Sequence, residues 1–183
     1  MKISEIIKAY VNKKDKPREI GRYFSSELFG IINNYLKPQD FFKPRQIDEM
    51  GSKYISEGVA IEDYLTKVFT EQKIPVDCQA KKEIVISEGV VLVAKCDYYF
   101  GDYIVELKRP ANLSSEIPPK WQYQLEAYAR VFELPVYLWQ VYYPLTIKQL
   151  KYTPCDKRWE KIKEKLLEFH EEIIKIKSKK NDT

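Results

Sequence analysis

The chain has 183 residues, 44% of them hydrophobic and 32% charged, with a formal net charge of +4, which is the composition of one folded globular domain. No apolar run approaches the roughly 20 residues of a membrane-spanning helix, and the N-terminus lacks a signal-peptide core, so we expect an intracellular protein with no membrane partner. One histidine and three widely spaced cysteines exclude a histidine-rich metal site, a paired-cysteine zinc site and a disulfide framework.

The first 45 residues are predicted to form a helical segment. The spacing of their apolar residues indicates a short helix over residues 2–13 and a second helix over residues 22–36. Two prolines, Pro38 and Pro44, bracket the loop that follows. Nothing in this segment indicates a catalytic group by itself.

The next predicted helix, residues 47–72, carries an acidic residue on its apolar side. Its predicted buried stripe consists of Ile55, Gly58, Val59, Leu65 and Phe69. Glu62 falls on the same stripe, where a carboxylate is unfavourable unless another group pairs with it. A structural salt bridge is the commoner explanation for one such residue, and a functional site is the alternative.

A three-stranded antiparallel meander is predicted over residues 82–107. The run at residues 90–94 is apolar at every position, which indicates a central strand covered on both faces. Gly101-Asp102 is typical of a two-residue hairpin with a type II′ turn. This turn sets residues 98–100 opposite residues 103–105 and places Asp97 opposite Glu106.

The hairpin thus brings two carboxylates together in the middle of a sheet. Glu106 and Lys108 share one face of their strand, and like charges opposite each other, such as Asp97 and Glu106, destabilise a sheet. A divalent cation between them is one explanation, since Mg²⁺ binds through one or two carboxylates. A solvent-facing cluster of charged residues is the alternative.

A helix, a strand that runs parallel to the hairpin strand and an edge strand are predicted next. Pro118-Pro119 starts the helix, whose inner stripe is Trp121, Gln124, Leu125, Tyr128 and Phe132. Residues 136–142 are predicted to pair in parallel with the hairpin strand, because a crossover helix connects the two strands. Residues 146–152 alternate as an edge strand. A long amphipathic helix over residues 156–178 follows, and residues 177–183 are expected to be a frayed tail. His170 lies on this helix, where we expect a surface position.

These residues together resemble the PD-(D/E)xK nuclease superfamily. Asp97 followed by Glu106-x-Lys108 resembles its second and third motifs, and Glu62 resembles the acid of its first motif. Residues 124–128, with Gln at the first and Tyr at the last position, resemble the QxxxY motif of the RecB-like branch. That branch includes CRISPR-associated RecB-like exonucleases and several archaeal viral nucleases. The resemblance covers roughly residues 50–142 of the chain.

The resemblance implies an α/β fold with the restriction-endonuclease-like αβββαβ core, in which helices flank a mixed central sheet. Residues 1–183 would form a single domain with its core at about residues 47–142, preceded by extra N-terminal helices. Two departures are visible: Cys96 replaces the proline before Asp97, and Ile31-Ile32 stand where iron–sulfur members have their first cysteine. We therefore expect no iron–sulfur cluster.

The activity that the resemblance implies is hydrolysis of DNA phosphodiester bonds with Mg²⁺ or Mn²⁺, in an exonuclease-like manner. The implied metal ligands are Glu62, Asp97, Glu106 and the Leu107 carbonyl. The implied catalytic residues are Asp97, Glu106, Lys108, Gln124 and Tyr128. Lys108 would orient the attacking water or offset charge in the transition state. For Tyr128, plain core packing is the alternative.

DNA is the expected partner, and a homo-oligomer is compatible with the resemblance. Candidates for contacts with DNA phosphates are Lys53, Arg109, Lys120 and Arg130. Candidates for stacking on unpaired bases, each with core packing as the alternative, are Tyr98, Trp121 and Tyr123. The role could lie in DNA repair, in recombination, or in viral or CRISPR DNA processing. Two rival functions stay open: a structure-selective endonuclease such as a junction resolvase, and an inactive DNA-binding protein that keeps the fold.

Overall fold

The computed structural model describes residues 18–43, 49–110, 112–142 and 146–181, with all side chains except those of residues 49–52 and 180–181. The helices of these ranges are α1 (Leu28–Ile32), α2 (Glu49–Glu71), α3 (Pro119–Phe132) and α4 (Asp156–Asn181). The strands are β1 (Arg22–Phe24), β2 (Asp77–Cys78), β3 (Lys81–Ser87), β4 (Val90–Lys95), β5 (Tyr98–Tyr99), β6 (Ile104–Lys108), β7 (Val136–Tyr142) and β8 (Thr146–Lys151). Short 3₁₀ turns lie at Ser25–Glu27 and Pro38–Asp40.

The strands form two mixed sheets flanked by the helices, which confirms the predicted α/β fold class. The first sheet has the order β1-β4-β3, and the second has the order β2-β5-β6-β7-β8. β6 and β7 pair in parallel and are connected by the crossover helix α3, as predicted. β8 pairs antiparallel with β7 at the edge of the sheet, also as predicted. The predicted central sheet is divided because the chain leaves the first sheet after Lys95 and joins the second at Tyr98.

Residues 22–36 are not the single helix that their apolar spacing predicts. Arg22–Phe24 is a strand that pairs in parallel with Val91–Val93 of β4, and only Leu28–Ile32 is α-helical. The tertiary pairing decides this structure, because the three residues of β1 are too few to show a strand period of their own. The predicted helix over residues 2–13 lies outside the described residues.

The two halves of α2 have different surroundings. Leu65 and Phe69 are buried, as predicted, in a cluster with β6 and β7. Ile55 and Val59, predicted for the same buried stripe, are 40% and 43% exposed. The helix spans 23 residues, and its first half lines a cleft instead of packing on the sheet.

The hairpin of β5 and β6 has the predicted register, with residues 98–99 paired to residues 104–105. Gly101 has a φ of 94°, the positive angle that the first central position of a type II′ turn requires. The ladder ends at Tyr98, so Asp97 lies just beyond it and does not form the predicted cross-strand pair with Glu106. The strand β4 is buried on both faces, as its composition predicts.

The last two helices cover the sheets and complete the core. α3 starts with Pro119 in its first turn and buries Leu125, Tyr128 and Phe132, as predicted. α4 continues to Asn181, past its predicted end, so most of the predicted tail is helical. His170 on α4 is half-buried instead of on the surface, with Nδ1 2.8 Å from the Tyr23 hydroxyl. No helix within the described ranges is long and apolar enough to cross a membrane.

Candidate active site

The predicted site residues come from four parts of the fold. Glu62 lies on α2, and Asp97 lies between β4 and β5. Glu106 and Lys108 lie on β6, and Gln124 and Tyr128 lie on α3. The Leu107 N–H donates to Asp97 Oδ2 at 2.7 Å, so the backbone of β6 fixes the aspartate. The Asp97 side chain can accept this bond because Asp97 lies between β4 and β5, where the chain passes from one sheet to the other.

Glu106 is the centre of the hydrogen-bond network. Its side chain is 4% exposed, and Oε1 accepts from Lys108 Nζ and, at 2.9 Å, from Gln124 Nε2. Oε2 is 2.7 Å from the Tyr128 hydroxyl, which also lies 2.6 Å from the Lys95 carbonyl. Gln124 and Tyr128 stand one turn apart on α3, so this helix presents both to the same carboxylate.

Glu62 and Asp97 are joined by one amide group that sequence reasoning did not identify. Gln79 Nε2 lies 3.1 Å from Glu62 Oε2 and 3.2 Å from Asp97 Oδ1. The carboxylate of Glu62 therefore faces that of Asp97 across a single side chain. Asp97 is tied to the strand that carries Glu106 and Lys108 only through the Leu107 N–H, so the site consists of two adjacent hydrogen-bonded groups, which we refer to together as the network.

The charges of this network disturb one another. Burial, and then the negative charges of Glu106 and Glu62, raise the pKa of Asp97 well above its ordinary value. Burial and the Glu106 charge also raise the pKa of Glu62. Burial alone would lower the pKa of Lys108, but the nearby carboxylates outweigh it and raise that pKa, so Lys108 stays protonated.

The network opens into a cleft of about 470 Å³ between α2, the end of β6 and the start of α3. Its lining includes Tyr54, Ile55, Glu62, Lys108, Lys120 and Trp121. Lys120 Nζ lies 4.8 Å from the centre of the Trp121 ring, and Arg109 at the rim pairs with Glu57 at 2.8 Å. The cleft thus combines cations and an aromatic ring next to the carboxylates.

Three other residues predicted to contact DNA, namely Arg130, Tyr98 and Tyr123, bond to or pack against groups of the protein itself. Arg130 bonds the buried Glu126 at 2.8 Å and also pairs with Asp156, so it joins α3 to the start of α4. Tyr98 is 1% exposed, and its hydroxyl donates to the Glu62 carbonyl, so it cannot stack on a base. Tyr123 packs against the core, whereas Lys53 is exposed at the cleft end of α2.

Three polar residues of the structure had no place in the sequence prediction. Gln79 joins Glu62 and Asp97, and Glu126 is fully buried among cationic and hydroxyl donors of α3, α4 and the segment that follows β8. Gln140 is fully buried beside Lys108 on the next strand, and its Oε1 accepts from the Ser114 N–H at 2.8 Å. A glutamine inside the apolar run of β7 was the one signal that could have pointed to Gln140.

Comparison with known proteins identifies the fold but no close relative. No protein-family model matches the chain, and no curated protein is similar to it in sequence. The crystal structure of SSO0001 superposes with a TM-score of 0.66 at 14% identity, over 96% of this chain and 87% of that one. LHK-Exo, an alkaline exonuclease from Laribacter hongkongensis, superposes with a TM-score of 0.64 at 13% identity, over 97% of this chain and 98% of that one. The chain shares the fold of this alkaline exonuclease.

A second crystal structure of LHK-Exo, in complex with dAMP, gives the same result. It superposes with a TM-score of 0.63 at 13% identity, over 89% of this chain and 95% of that one. The superposition therefore covers most of both chains.

The donor set of the network suits a divalent cation in its chemistry. Carboxylates and a backbone carbonyl are the hard oxygen ligands that Mg²⁺ and Mn²⁺ prefer. The pKa of Asp97 is raised first by burial and then by the charges of Glu106 and Glu62, which a cation would offset. As the side chains stand in the described part of the chain, no three acidic, histidine or cysteine groups are placed to hold one ion. The Gln79 amide lies between Glu62 and Asp97, and Lys108 lies on Glu106, so both would have to shift.

Proposed function

We propose that the protein is a divalent-metal-dependent deoxyribonuclease with exonuclease-like action. We place it in the RecB-like branch of the PD-(D/E)xK nucleases, among members without an iron–sulfur cluster. The observation that carries the proposal is the group around Glu106, in which one buried carboxylate contacts Lys108, Gln124 and Tyr128 next to an open cleft that Lys108 and Glu62 line. A surface charge cluster would need neither this burial nor this density of hydrogen bonds.

A Mg²⁺ or Mn²⁺ ion, held by Asp97, Glu106, Glu62 and the Leu107 carbonyl, would supply an activated water and neutralise phosphate charge. Lys108 would act beside it as the protonated group that orients the water or stabilises the developing negative charge. Its raised pKa keeps the ammonium charged at neutral pH. Gln124 and Tyr128 act as positioning residues, because they contact Glu106 from α3 and hold it in one orientation.

The cleft suits a DNA strand whose end is unpaired. Lys120 and Lys53 are placed to contact backbone phosphates, which carry no sequence information. Trp121 lines the cleft and offers an aromatic face on which a base can stack. The neighbour LHK-Exo is an alkaline exonuclease, and one of its structures contains dAMP, so the shared fold supports action on DNA ends.

The test is degradation of end-labelled DNA by the wild-type protein and Lys108→Ala, with Lys67→Ala as the matched control. Lys67 is a lysine on the exposed side of α2, with a side chain 75% exposed. We expect cleavage that needs Mg²⁺ or Mn²⁺, stops in EDTA and falls by about 10²–10³ in Lys108→Ala, as for loss of one transition-state donor. Lys67→Ala should cleave like the wild type.

Linear and closed circular substrates, single- and double-stranded, distinguish the rival functions. Loss of linear DNA with survival of circles is the expected result. Cleavage of circles or branched junctions would instead indicate a structure-selective endonuclease. Binding of DNA without cleavage under any ion would contradict the proposal and indicate a binding protein that keeps the nuclease fold.

A further inference from the structure

Gln79 is held at the site by its backbone as well as by its side chain. It follows β2, and its N–H donates to the Asp97 carbonyl at 2.9 Å. One residue further, the Ala80 carbonyl accepts from the Cys96 N–H at 3.0 Å. These two bonds tie the turn between β2 and β3 to the segment that carries Asp97.

The backbone of Gln79 has an unfavourable conformation. Its φ is 62°, in the left-handed region where glycine or asparagine is the usual residue and where other side chains are uncommon. Glycine would relieve this conformation, yet the chain has a long amide side chain here. That side chain reaches the two acids of the site, so its contacts give the position a chemical reason that the turn alone does not supply.

The amide nitrogen of Gln79 lies where a positive group would bind best. It is within 3.2 Å of one oxygen of Glu62 and one of Asp97, and its two hydrogens allow one bond to each. The amide is neutral, so it satisfies the two oxygens without cancelling their charge. The mutual repulsion of the carboxylates is therefore left in place when the amide is bound.

We propose that the Gln79 side-chain amide holds the place of the divalent cation between Glu62 and Asp97 and is displaced when the ion binds. This inference rests on the proposed metal-dependent function. The same two oxygens cannot bind the amide hydrogens and an ion at once, so the two are alternatives. The terminal torsion of a glutamine is soft, which allows the amide to leave without a change of backbone.

Competition of this kind has a definite thermodynamic result. Each amide–carboxylate bond stabilises the ion-free protein and has to be broken for the ion to bind. Removing the amide should therefore lower the stability of the ion-free protein and raise its affinity for the ion by the corresponding factor. A residue with a purely structural role would lower stability with and without the ion and leave the affinity unchanged.

The test compares the wild-type protein with Gln79→Met, which keeps an unbranched side chain but removes the hydrogen-bond donors. Gln72→Met is the matched control, since Gln72 is exposed just after α2 and is separate from the site. Titration calorimetry with Mg²⁺ or Mn²⁺ in the absence of DNA gives the dissociation constant. Thermal unfolding in EDTA and in saturating Mg²⁺ gives the stability of each state.

We expect Gln79→Met to bind the ion about five- to tenfold more tightly than the wild type, the factor expected from losing two long hydrogen bonds at the weak end of the usual range. Its melting temperature should be about 2–4 °C lower in EDTA and equal to that of the wild type in saturating Mg²⁺. Gln72→Met should match the wild type in both measurements. Gln79→Gly, which has no left-handed penalty, should bind the ion more tightly as well and serves if the methionine variant folds poorly.

Weaker ion binding by Gln79→Met would show that the amide is a ligand and would overturn the proposal. Unchanged affinity, or a lower melting temperature that persists in saturating Mg²⁺, would also overturn it. If the wild type itself binds no ion, the proposed metal-dependent function fails. If the wild type binds the ion and the Gln79 variants match it, only this inference fails.

Discussion

At the scale of single residues, Asp97 is the place where burial and charge conflict most directly. Its carboxylate accepts a backbone hydrogen bond from Leu107, which favours the charged form, but burial and the charges of Glu106 and Glu62 outweigh that bond. The result is a pKa raised well above 3.8, the ordinary value for aspartate. Without a cation, the folded protein therefore binds the carboxyl proton of Asp97 more tightly than the unfolded chain does.

A raised pKa has a direct consequence for stability against pH. The contribution of Asp97 to the free energy of unfolding is fully present below pH 3.8 and is lost as the pH rises through the raised folded-state value. Asp97→Asn keeps an oxygen for Leu107 but removes the titration. In EDTA, we expect its melting temperature to exceed that of the wild type increasingly as the pH rises from about 4 to 8.

Thermal unfolding of both proteins across this pH range measures the effect. A difference in melting temperature that stays constant with pH would contradict the electrostatic account of Asp97. In saturating Mg²⁺ the order of the two proteins should reverse, because the variant lacks one carboxylate that would hold the ion.

The site residues that could be predicted from the sequence are those fixed by local geometry. The hairpin turn determines the register of β5 and β6, although Asp97 lies beyond their ladder, and helical spacing places Gln124 and Tyr128 on one side of α3. Gln79 could not be predicted, because its left-handed conformation has none of the usual glycine or asparagine signal. Its contact with Asp97 exists only once β2 and β5 have paired.

At the scale of secondary-structure elements, the apolar stripe of α2 is buried in one half of the helix and lines the cleft in the other. Its second half packs Leu65 and Phe69 into the core, whereas Ile55 in the first half lines the cleft and stays 40% exposed. Hydrophobic periodicity detects both halves equally because it does not depend on what covers the helix. The exposed apolar side chains are therefore available to a substrate.

The two halves should respond differently to the same truncation. Leu65→Ala should lower the free energy of unfolding by about 2–5 kcal/mol, because it removes buried methyl groups and leaves a cavity. Ile55→Ala should change it by less than about 1 kcal/mol, since the side chain is already partly in water. Urea unfolding of the two variants measures both values, and an equally large loss for Ile55→Ala would contradict the division of α2.

Elements with a strong local signal were predicted well, and elements that depend on tertiary pairing were not. α3 and the β5–β6 hairpin have strong local signals, a proline in the first turn and a Gly-Asp turn, and the structure contains both at the expected positions. β1 has three residues and depends on parallel pairing with β4, a contact more than 60 residues away in the chain. Glu126 was missed for a similar reason, because its partners, Tyr152 after β8 and Arg158 on α4, come together only in the tertiary structure.

At the scale of the whole molecule, the candidate site is assembled from parts that are distant in the sequence. It draws Glu62 from a helix, Asp97 from the segment between two sheets, Glu106 from the second sheet and Tyr128 from the crossover helix. The fold that assembles these parts is shared with an alkaline exonuclease at 13% sequence identity. A homo-oligomeric assembly stays a prediction.

The position of Asp97 between the two sheets also bears on the order of folding events. Glu62, Asp97 and Glu106 can meet only after both sheets and α2 have packed, so we expect an ion site of these residues to form after the folding transition state. A ligand that binds contacts formed after the transition state slows unfolding and leaves folding unchanged. We expect Mg²⁺ to lower the unfolding rate constant in stopped-flow kinetics and to leave the folding rate constant unchanged. Faster refolding with Mg²⁺ would indicate that the ion already binds in the transition state.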